Sequence, residues 1–229
     1  MSRLRILTYN IHAGRGWDIR AHSAARPRNI AAVADVIRSA DPDIATLQEV
    51  DIDQGAELAQ RLGMELLAIA SITGGNRRDY GIATLTKIPI ARSREVWLPG
   101  SERARCALLT QHAWAGGELA VVNAHLSMLF RDRPDQVAAL VGELGDDPLV
   151  IAGDFNMTPF SPAYRALKRG FTSATRFART WPAPAALVPI DHILVRGPVH
   201  VVRGCAWTDA GARRASDHLP VVAEIELRL

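Results

Sequence analysis

The chain has 229 residues, of which 48% are hydrophobic, enough for a full globular core in one large domain or two small ones. Its formal net charge of +3 favours the approach of an anionic ligand but is too small to mark a dedicated nucleic-acid binder. The two cysteines, Cys106 and Cys205, show no metal-ligand spacing and sit in apolar, strand-like runs, so both are expected to be reduced and buried.

The first ten residues, "MSRLRILTYN", run straight into a strand pattern. They are too short and polar for a signal peptide, and no later apolar run is long enough to span a membrane. A cytoplasmic location with no integral membrane segment is therefore expected. Ile30, Val33, Ala34 and Ile37 recur at helical spacing, predicting a helix that ends near "SADPD". "DIATLQEV" reads as a buried strand, "QGAELAQRLG" as a short helix closed by Gly63, and "MELLAIA" as another strand. "SITGGNRRDY" reads as a polar loop. From Tyr80 to Ala124 a meander of four strands is expected, with turn signals between them.

The second half repeats the alternation. Val137, Leu140, Val141 and Leu144 make a helical stripe, "PLVIAGDFN" is a strand, and "SPAYRALKRG" is a helix with Ser161 at its N-cap and Pro162 at its first position. Strands follow in "PIDHILVRG", "VHVVRGCAW" and "LPVVAEIELRL". No linker or low-complexity segment interrupts the pattern, which points to one α/β domain over residues 1–229 with layered sheets.

Several apolar runs end in polar groups. "ILTYN" ends in Asn10, "IATLQEV" carries Glu49, and "AVVNAHLS" sets Asn123, His125 and Ser127 at a period of two. "IAGDFN" delivers Asp154 and Asn156 on one side with Phe155 on the other, "IDHILV" carries Asp191, and "SDHLPVV" presents Ser216, Asp217 and His218. Each alone has an ordinary structural explanation as a turn residue, a solvated strand end or a satisfied core histidine. Burying all of them is costly unless they bond one another or a cation.

The residue types suit particular work. Carboxylates and amide oxygens suit a hard cation such as Mg²⁺, with Mn²⁺ as the alternative; Glu49 is the best candidate ligand, with Asn10 and Asp217 nearby. His218 with Asp191 supplies a histidine–carboxylate pair for acid–base or electrostatic work. Metal, histidine and carboxylate together equip a site for attack by water on phosphorus. A Ser-His-Asp hydrolase is the chemical rival, but no G-x-S-x-G segment occurs and Ser216 is adjacent in sequence to the acid–histidine pair. No Walker-type phosphate loop is present either.

The segments "TYNIHAGRG", "DPDIATLQEVD", "YGIATLTKIPI", "VVNAHLS", "IAGDFNMTP", "IDHILV" and "SDHLPVV" resemble, in sequence and order, the endonuclease/exonuclease/phosphatase superfamily from Leu4 to Val222. The resemblance implies a four-layer α/β sandwich, two mixed β-sheets packed face to face with helices outside, and a site at one edge. It implies a Mg²⁺-dependent phosphoester hydrolase. Carried over motif by motif, Asn10 and Glu49 are metal-side residues with Glu49 a direct ligand, and Asp217 is a further metal-side carboxylate. Asp154 orients or deprotonates the attacking water, Asn156 holds it or the phosphate, and Asp191 orients His218, which contacts the scissile phosphate.

The "NAHLS" segment with His125 resembles phosphatase and sphingomyelinase-like members, where DNA-repair members tend to carry Tyr. A small or lipid-linked phosphoester is therefore the expected substrate, with DNA or RNA as the alternative. No protein partner is implied. Arg131 and Arg103 are the substrate-binding candidates; Arg133 and Gln136 lie beside Arg131. Ile82 and Pro189 replace the Asn and Arg that small bacterial members often carry, which bears on specificity.

Overall fold

The computed structural model describes residues 3–17, 29–70, 80–101, 105–145, 148–209 and 211–227. Arg103 lies outside the described residues, as does the loop expected at "SITGGNRRDY" up to Asp79. In chain order the elements are β1 (Arg3–Asn10), α1 (Ile30–Ala40), β2 (Ile44–Asp51), α2 (Ile52–Leu62), β3 (Glu65–Ala70) and β4 (Tyr80–Thr86). Then come β5 (Ile90–Leu98), β6 (Arg105–Trp114), β7 (Gly117–His125), α3 (Arg133–Gly142), β8 (Leu149–Asp154) and α4 (Pro162–Leu167). The chain closes with β9 (Thr172–Ser173), β10 (Asp191–Arg196), β11 (Val199–Ala206), α5 (Ala212–Ala215) and β12 (Val221–Leu227).

Local chemistry sets the helix ends. The Asn29 side chain accepts the Ala32 N–H at 3.0 Å and starts α1. Gln54 reaches back to the Asp51 N–H at 3.3 Å at the head of α2, and Gly63 ends that helix at φ +64°, where a side chain would be strained. Ser161 stands at the N-cap of α4 as expected, without a side-chain cap bond.

The strands form two six-stranded sheets, ordered β11-β12-β1-β2-β4-β3 and β5-β6-β7-β8-β10-β9. Both are mixed: β1 runs parallel to β2 and β7 parallel to β8, while the other pairings are antiparallel. Each parallel pair is joined by a crossover helix, α1 or α3, as parallel strands require. The two sheets also share one connectivity, since β1, β2, β4 and β3 stand in the first as β7, β8, β10 and β9 stand in the second.

Three apolar layers hold the molecule together. Ile6, Ile44, Val121, Val150, Ile193 and Val221 fill the space between the sheets. Val33, Ile37, Leu47, Leu58 and Leu85 pack α1 and α2 on the outer face of the first sheet. Val137, Leu140, Phe155, Tyr164 and Leu167 pack α3 and α4 on the outer face of the second. The result is the four-layer α/β sandwich, helices outside two packed sheets. Phe155 does point into the layer opposite Asp154, as strand alternation predicts.

Two burial expectations need correction. Cys106 is buried, but Cys205 is exposed, because β11 is an edge strand with one face open to solvent. Val141 is also exposed, since the stripe of α3 that faces the sheet runs through Val137 and Leu140. Among the described residues no helix is long and apolar enough to cross a membrane.

Candidate active site

The C-terminal ends of β1, β2, β7 and β8 lie at one edge of the sandwich, where β10 begins and the chain enters β12. That edge gathers most of the polar strand ends. On β7 and β8, His125 is the register partner of Asp154; on β10 and β8, Asp191 is. Asp154 therefore sits between a histidine and a second carboxylate on neighbouring strands. Its Oδ2 lies 3.6 Å from His125 Nε2 and 3.8 Å from His218 Nε2. His218 Nδ1 is 2.9 Å from Asp191 Oδ2, and the Thr180 hydroxyl donates to that same oxygen. Asp154, Asp191 and His218 are all buried.

Asn10 connects this group to Glu49. Its amide nitrogen donates to Asp154 Oδ2 at 3.0 Å and to Glu49 Oε1 at 3.3 Å, while its oxygen accepts the His12 N–H at 3.1 Å. Glu49 is aimed by a break in the strand: the β2–β4 register shifts between Gln48 and Val50, and Glu49 adopts φ +57°. Bulges of this kind redirect a side chain out of the alternation of the strand. Asp217, half-buried, faces His12 Nδ1 at 3.5 Å and lies 3.3 Å from the Ser216 hydroxyl oxygen.

Asn156 reaches the site differently from the way alternation predicts. The strand stops at Asp154 and Asn156 takes φ +51°, so its backbone N–H bonds Asp154 Oδ1 at 2.9 Å. Its side chain donates to the Leu126 carbonyl at 3.1 Å, tying the exits of β7 and β8 together.

The row Asn123, His125 and Ser127 divides among three jobs. Asn123 bridges the two sheets, accepting from Gln48 at 2.9 Å and donating to the carbonyls of Leu47 and Ala83. His125 reaches the site. Ser127 is a loop residue bonded through its backbone to Gln136 and through its hydroxyl to Asp132. Gln136 is thereby fully engaged, its amide also donating to the Pro99 carbonyl at 2.9 Å. Arg133 donates to the carbonyls of Ser127 and Met128, and Arg131 is exposed with its guanidinium on the Ser101 hydroxyl. The Ser216 hydroxyl donates to the Asn10 carbonyl at 2.7 Å in a fully buried position, so it serves as a tie between β1 and the β12 approach, not as a nucleophile.

Two contributors were not legible from the pattern. Thr180 lies in a loop far from any motif. Arg105, at the start of β6, places Nη1 at 2.9 Å from His125 Nδ1. A guanidinium can only donate, so Nδ1 must accept and the His125 proton must reside on Nε2, facing Asp154. The only available signal was an arginine at the head of an otherwise apolar strand.

Electrostatics follow from this packing. Burial, then the neighbouring Asp191 carboxylate, raise Asp154 to about 7, against the pull of His218, Asn10 and the Asn156 N–H. For His218 burial opposes protonation, but Asp191 and Asp154 outweigh it and raise the imidazole to about 10. Burial, reinforced by Arg105 and His218, holds His125 well below the usual imidazole range. The side chains thus place the proton on His218 and keep His125 neutral.

His192, next to Asp191, points into the helical layer, where its ring packs at a tilt against Tyr164 with centroids 4.6 Å apart and donates to the Met157 carbonyl at 2.7 Å. Burial lowers it from 6.5 to about 4. A base whose folded pKa is depressed contributes stability that is present above pH 6.5 and lost as pH falls towards 4. Between pH 7.5 and pH 5 this group should cost about 2 kcal/mol, a loss that the His192→Gln variant escapes. Urea titrations of both proteins at the two pH values check it; equal losses in the two would refute the assignment.

The residues fit a hard divalent cation. Ligand atoms of Asp154, Asp191 and His218 lie within 4.8 Å of one another, but His218 and Asp191 are bonded to each other, so the carboxylate left to face an ion is Glu49, linked through the Asn10 amide to Asp154. Asp191 Oδ1 is buried without a hydrogen-bond partner among the described residues, and the two adjacent carboxylates would be relieved by positive charge.

A family model described as Endonuclease/Exonuclease/phosphatase family matches residues 7–218. No protein of curated function matches the chain. Among solved structures, an endonuclease/exonuclease/phosphatase from Bacteroides vulgatus superposes with a TM-score of 0.82 at 21% identity, covering 100% of both chains. A mannosyl-6-phosphatase from Bacteroides thetaiotaomicron gives 0.78 at 21% identity, over 99% of this chain and 100% of that one. D. rerio TDP2 complexed with a single-strand DNA product gives 0.73 at 18% identity, over 99% of this chain and 100% of that one.

Proposed function

Because the chain belongs to the endonuclease/exonuclease/phosphatase family, we propose that it is a Mg²⁺-dependent phosphoester hydrolase acting on a small or lipid-linked substrate. Members of that family hydrolyse phosphoesters, and the observation that carries the reading here is the placement of Asp154. This buried carboxylate stands between His125 and Asp191 on adjacent strands, with His218 across from it.

In this reading Glu49 holds the ion, with Asp217 as a second metal-side carboxylate and Asn10 bracing Glu49 against Asp154. The bound ion supplies charge neutralisation at the phosphoryl and leaving oxygens. Asp154 takes the proton of the attacking water. Asp191 and Thr180 fix His218, whose Nε2–H meets a phosphoryl oxygen, and the Nε2–H of His125 donates from the opposite strand. Asn156 keeps Asp154 oriented through its backbone N–H. Arg131, exposed on the connection that follows β7, takes the outer part of the substrate.

The reading is tested with aryl phosphomonoesters and phosphodiesters assayed with Mg²⁺, with Mn²⁺ and with chelator. Chelation should lower the rate about a hundredfold or more, and Mg²⁺ should restore it. A rate indifferent to chelator would defeat the proposal. A nucleic-acid substrate is the second reading, favoured by the likeness to TDP2 in complex with a DNA product. Metal-dependent degradation of single-stranded DNA or RNA in the same panel would select it.

A further inference from the structure

Three connections leave the site edge from β7, β8 and β9, over residues 126–132, 155–161 and 174–190. Their strands are neighbours in the sheet order β7-β8-β10-β9, so the connections form a continuous rim on one side of the site. The rim is built inside out. Its polar side chains turn inward: Ser127, Asp132, Thr175 and Thr180 are buried. Its large apolar ones face solvent: Met128 is 73% exposed, Phe130 80%, Phe160 74%, Phe177 58%, Leu187 61% and Trp181 40%. Only two other large apolar side chains among the described residues, Trp97 and Val141, are as open, so the exposure is concentrated in these connections.

This exposure is held in place. Arg133 grips the carbonyls of Ser127 and Met128, and Ser127 Oγ accepts the Leu129 N–H at 3.1 Å, fixing the turn that displays Met128 and Phe130. Phe160 and Phe177 stack across two connections with centroids 5.7 Å apart. Apolar patches of this extent on a soluble surface mark a partner or a membrane.

Charge selects between them. The only acid in the three segments is Asp132, which is buried, bonded to Ser101 and Ser127 and 4.0 Å from the Arg131 guanidinium, whereas Arg131, Arg176 and Arg179 are all exposed. Apolar side chains interspersed with arginines, free of exposed carboxylate, complement an anionic lipid interface, where rings enter the acyl boundary and guanidinium groups meet lipid phosphates. A single nucleic-acid strand would ask for a continuous basic track, and here six apolar groups outnumber three cations. We propose that this rim docks the protein on an anionic bilayer, presenting the site to a phosphoester carried in the lipid headgroup layer. The proposal rests on the hydrolase reading for its substrate, but docking itself requires no turnover.

The full chain is therefore sedimented, in chelator, with vesicles of phosphatidylcholine alone and of phosphatidylcholine with phosphatidylglycerol. Binding is expected to the anionic vesicles and to weaken with salt. Phe130→Ser combined with Phe177→Ser should weaken it about tenfold to a hundredfold, and Arg176→Glu with Arg179→Glu about tenfold or more. Both variants should keep the thermal midpoint and the rate on a soluble aryl phosphoester. The docking proposal is overturned if the wild-type chain ignores anionic vesicles, or if neither pair of substitutions changes its binding. It is equally overturned if these residues bind single-stranded DNA in place of vesicles. Vesicle binding without phosphoester hydrolysis would instead overturn the hydrolase reading and leave the docking intact.

Discussion

An Asp154→Asn variant should fold as the wild type does and hydrolyse phosphoesters about a thousandfold more slowly. The substitution keeps the shape; Asn10 donates to Oδ2 at 3.0 Å and the Asn156 N–H to Oδ1 at 2.9 Å, so the single amide oxygen keeps one of these two bonds, on the Asn156 side. What it removes is the capacity to take a proton. The choice between Asp154 and His218 as base then turns on their environments. His218, raised to about 10 by its two carboxylate neighbours against the cost of burial, already carries its proton near neutrality. Asp154, raised to about 7 by burial and Asp191, has both forms within reach. A carboxylate base makes activity climb with pH and level off by about pH 8, the earlier because a bound cation pulls the midpoint down. An imidazole base in this position would still be gaining activity at about pH 9. Rates from pH 5 to 9.5, with Asp154→Asn beside His218→Gln, separate the two. Retention of a tenth or more of the wild-type rate by Asp154→Asn would remove Asp154 from the role of base.

Most elements of the fold were legible because each is an autonomous pattern. The stripe through Val33 and Ile37, the run from Leu149 to Ala152 and the stop at Gly63 are local matters of periodicity and turn chemistry. The gathering of Asn10, Glu49, His125, Asp154, Asp191 and His218 at one edge followed from polar groups closing apolar strands, together with the family resemblance. Direction was harder to read. Asn123 shares a face with His125 by period, yet it lies deeper, where the opposing sheet supplies Gln48, and so becomes a strut between sheets. Glu49 and Asn156 escape alternation altogether through left-handed backbones that no motif announces. Thr180 and Arg105 act by approaching Asp191 and His125 from other elements. Such partners are fixed by tertiary packing, and residue type alone does not reveal them.

Replacing Gly153 with Ala should have the largest effect on stability, costing about 3 kcal/mol. A methyl group at this position would lie 1.8 Å from the Ala124 carbonyl oxygen and 2.8 Å from its carbon. Both atoms are backbone of β7, the register partner of Gly153 in the parallel pair, so no side-chain rotation relieves the clash. The strands must separate, and they do so one residue below the level at which His125 meets Asp154. Activity should therefore fall further than the loss of folded protein explains, with kcat reduced more than KM is raised, since the misplaced groups serve the reacting centre. Gly142→Ala is the control. A methyl group there meets nothing within 4 Å, and in the last turn of α3 it should stabilise the protein by about 0.5 kcal/mol. Urea unfolding of the two variants gives the comparison directly. If Gly153→Ala unfolds within about 1 kcal/mol of the wild type, close strand approach is not what seats Asp154. The glycine before the acid would then act through the turn that follows it, where Asn156 bends back to the Asp154 carboxylate.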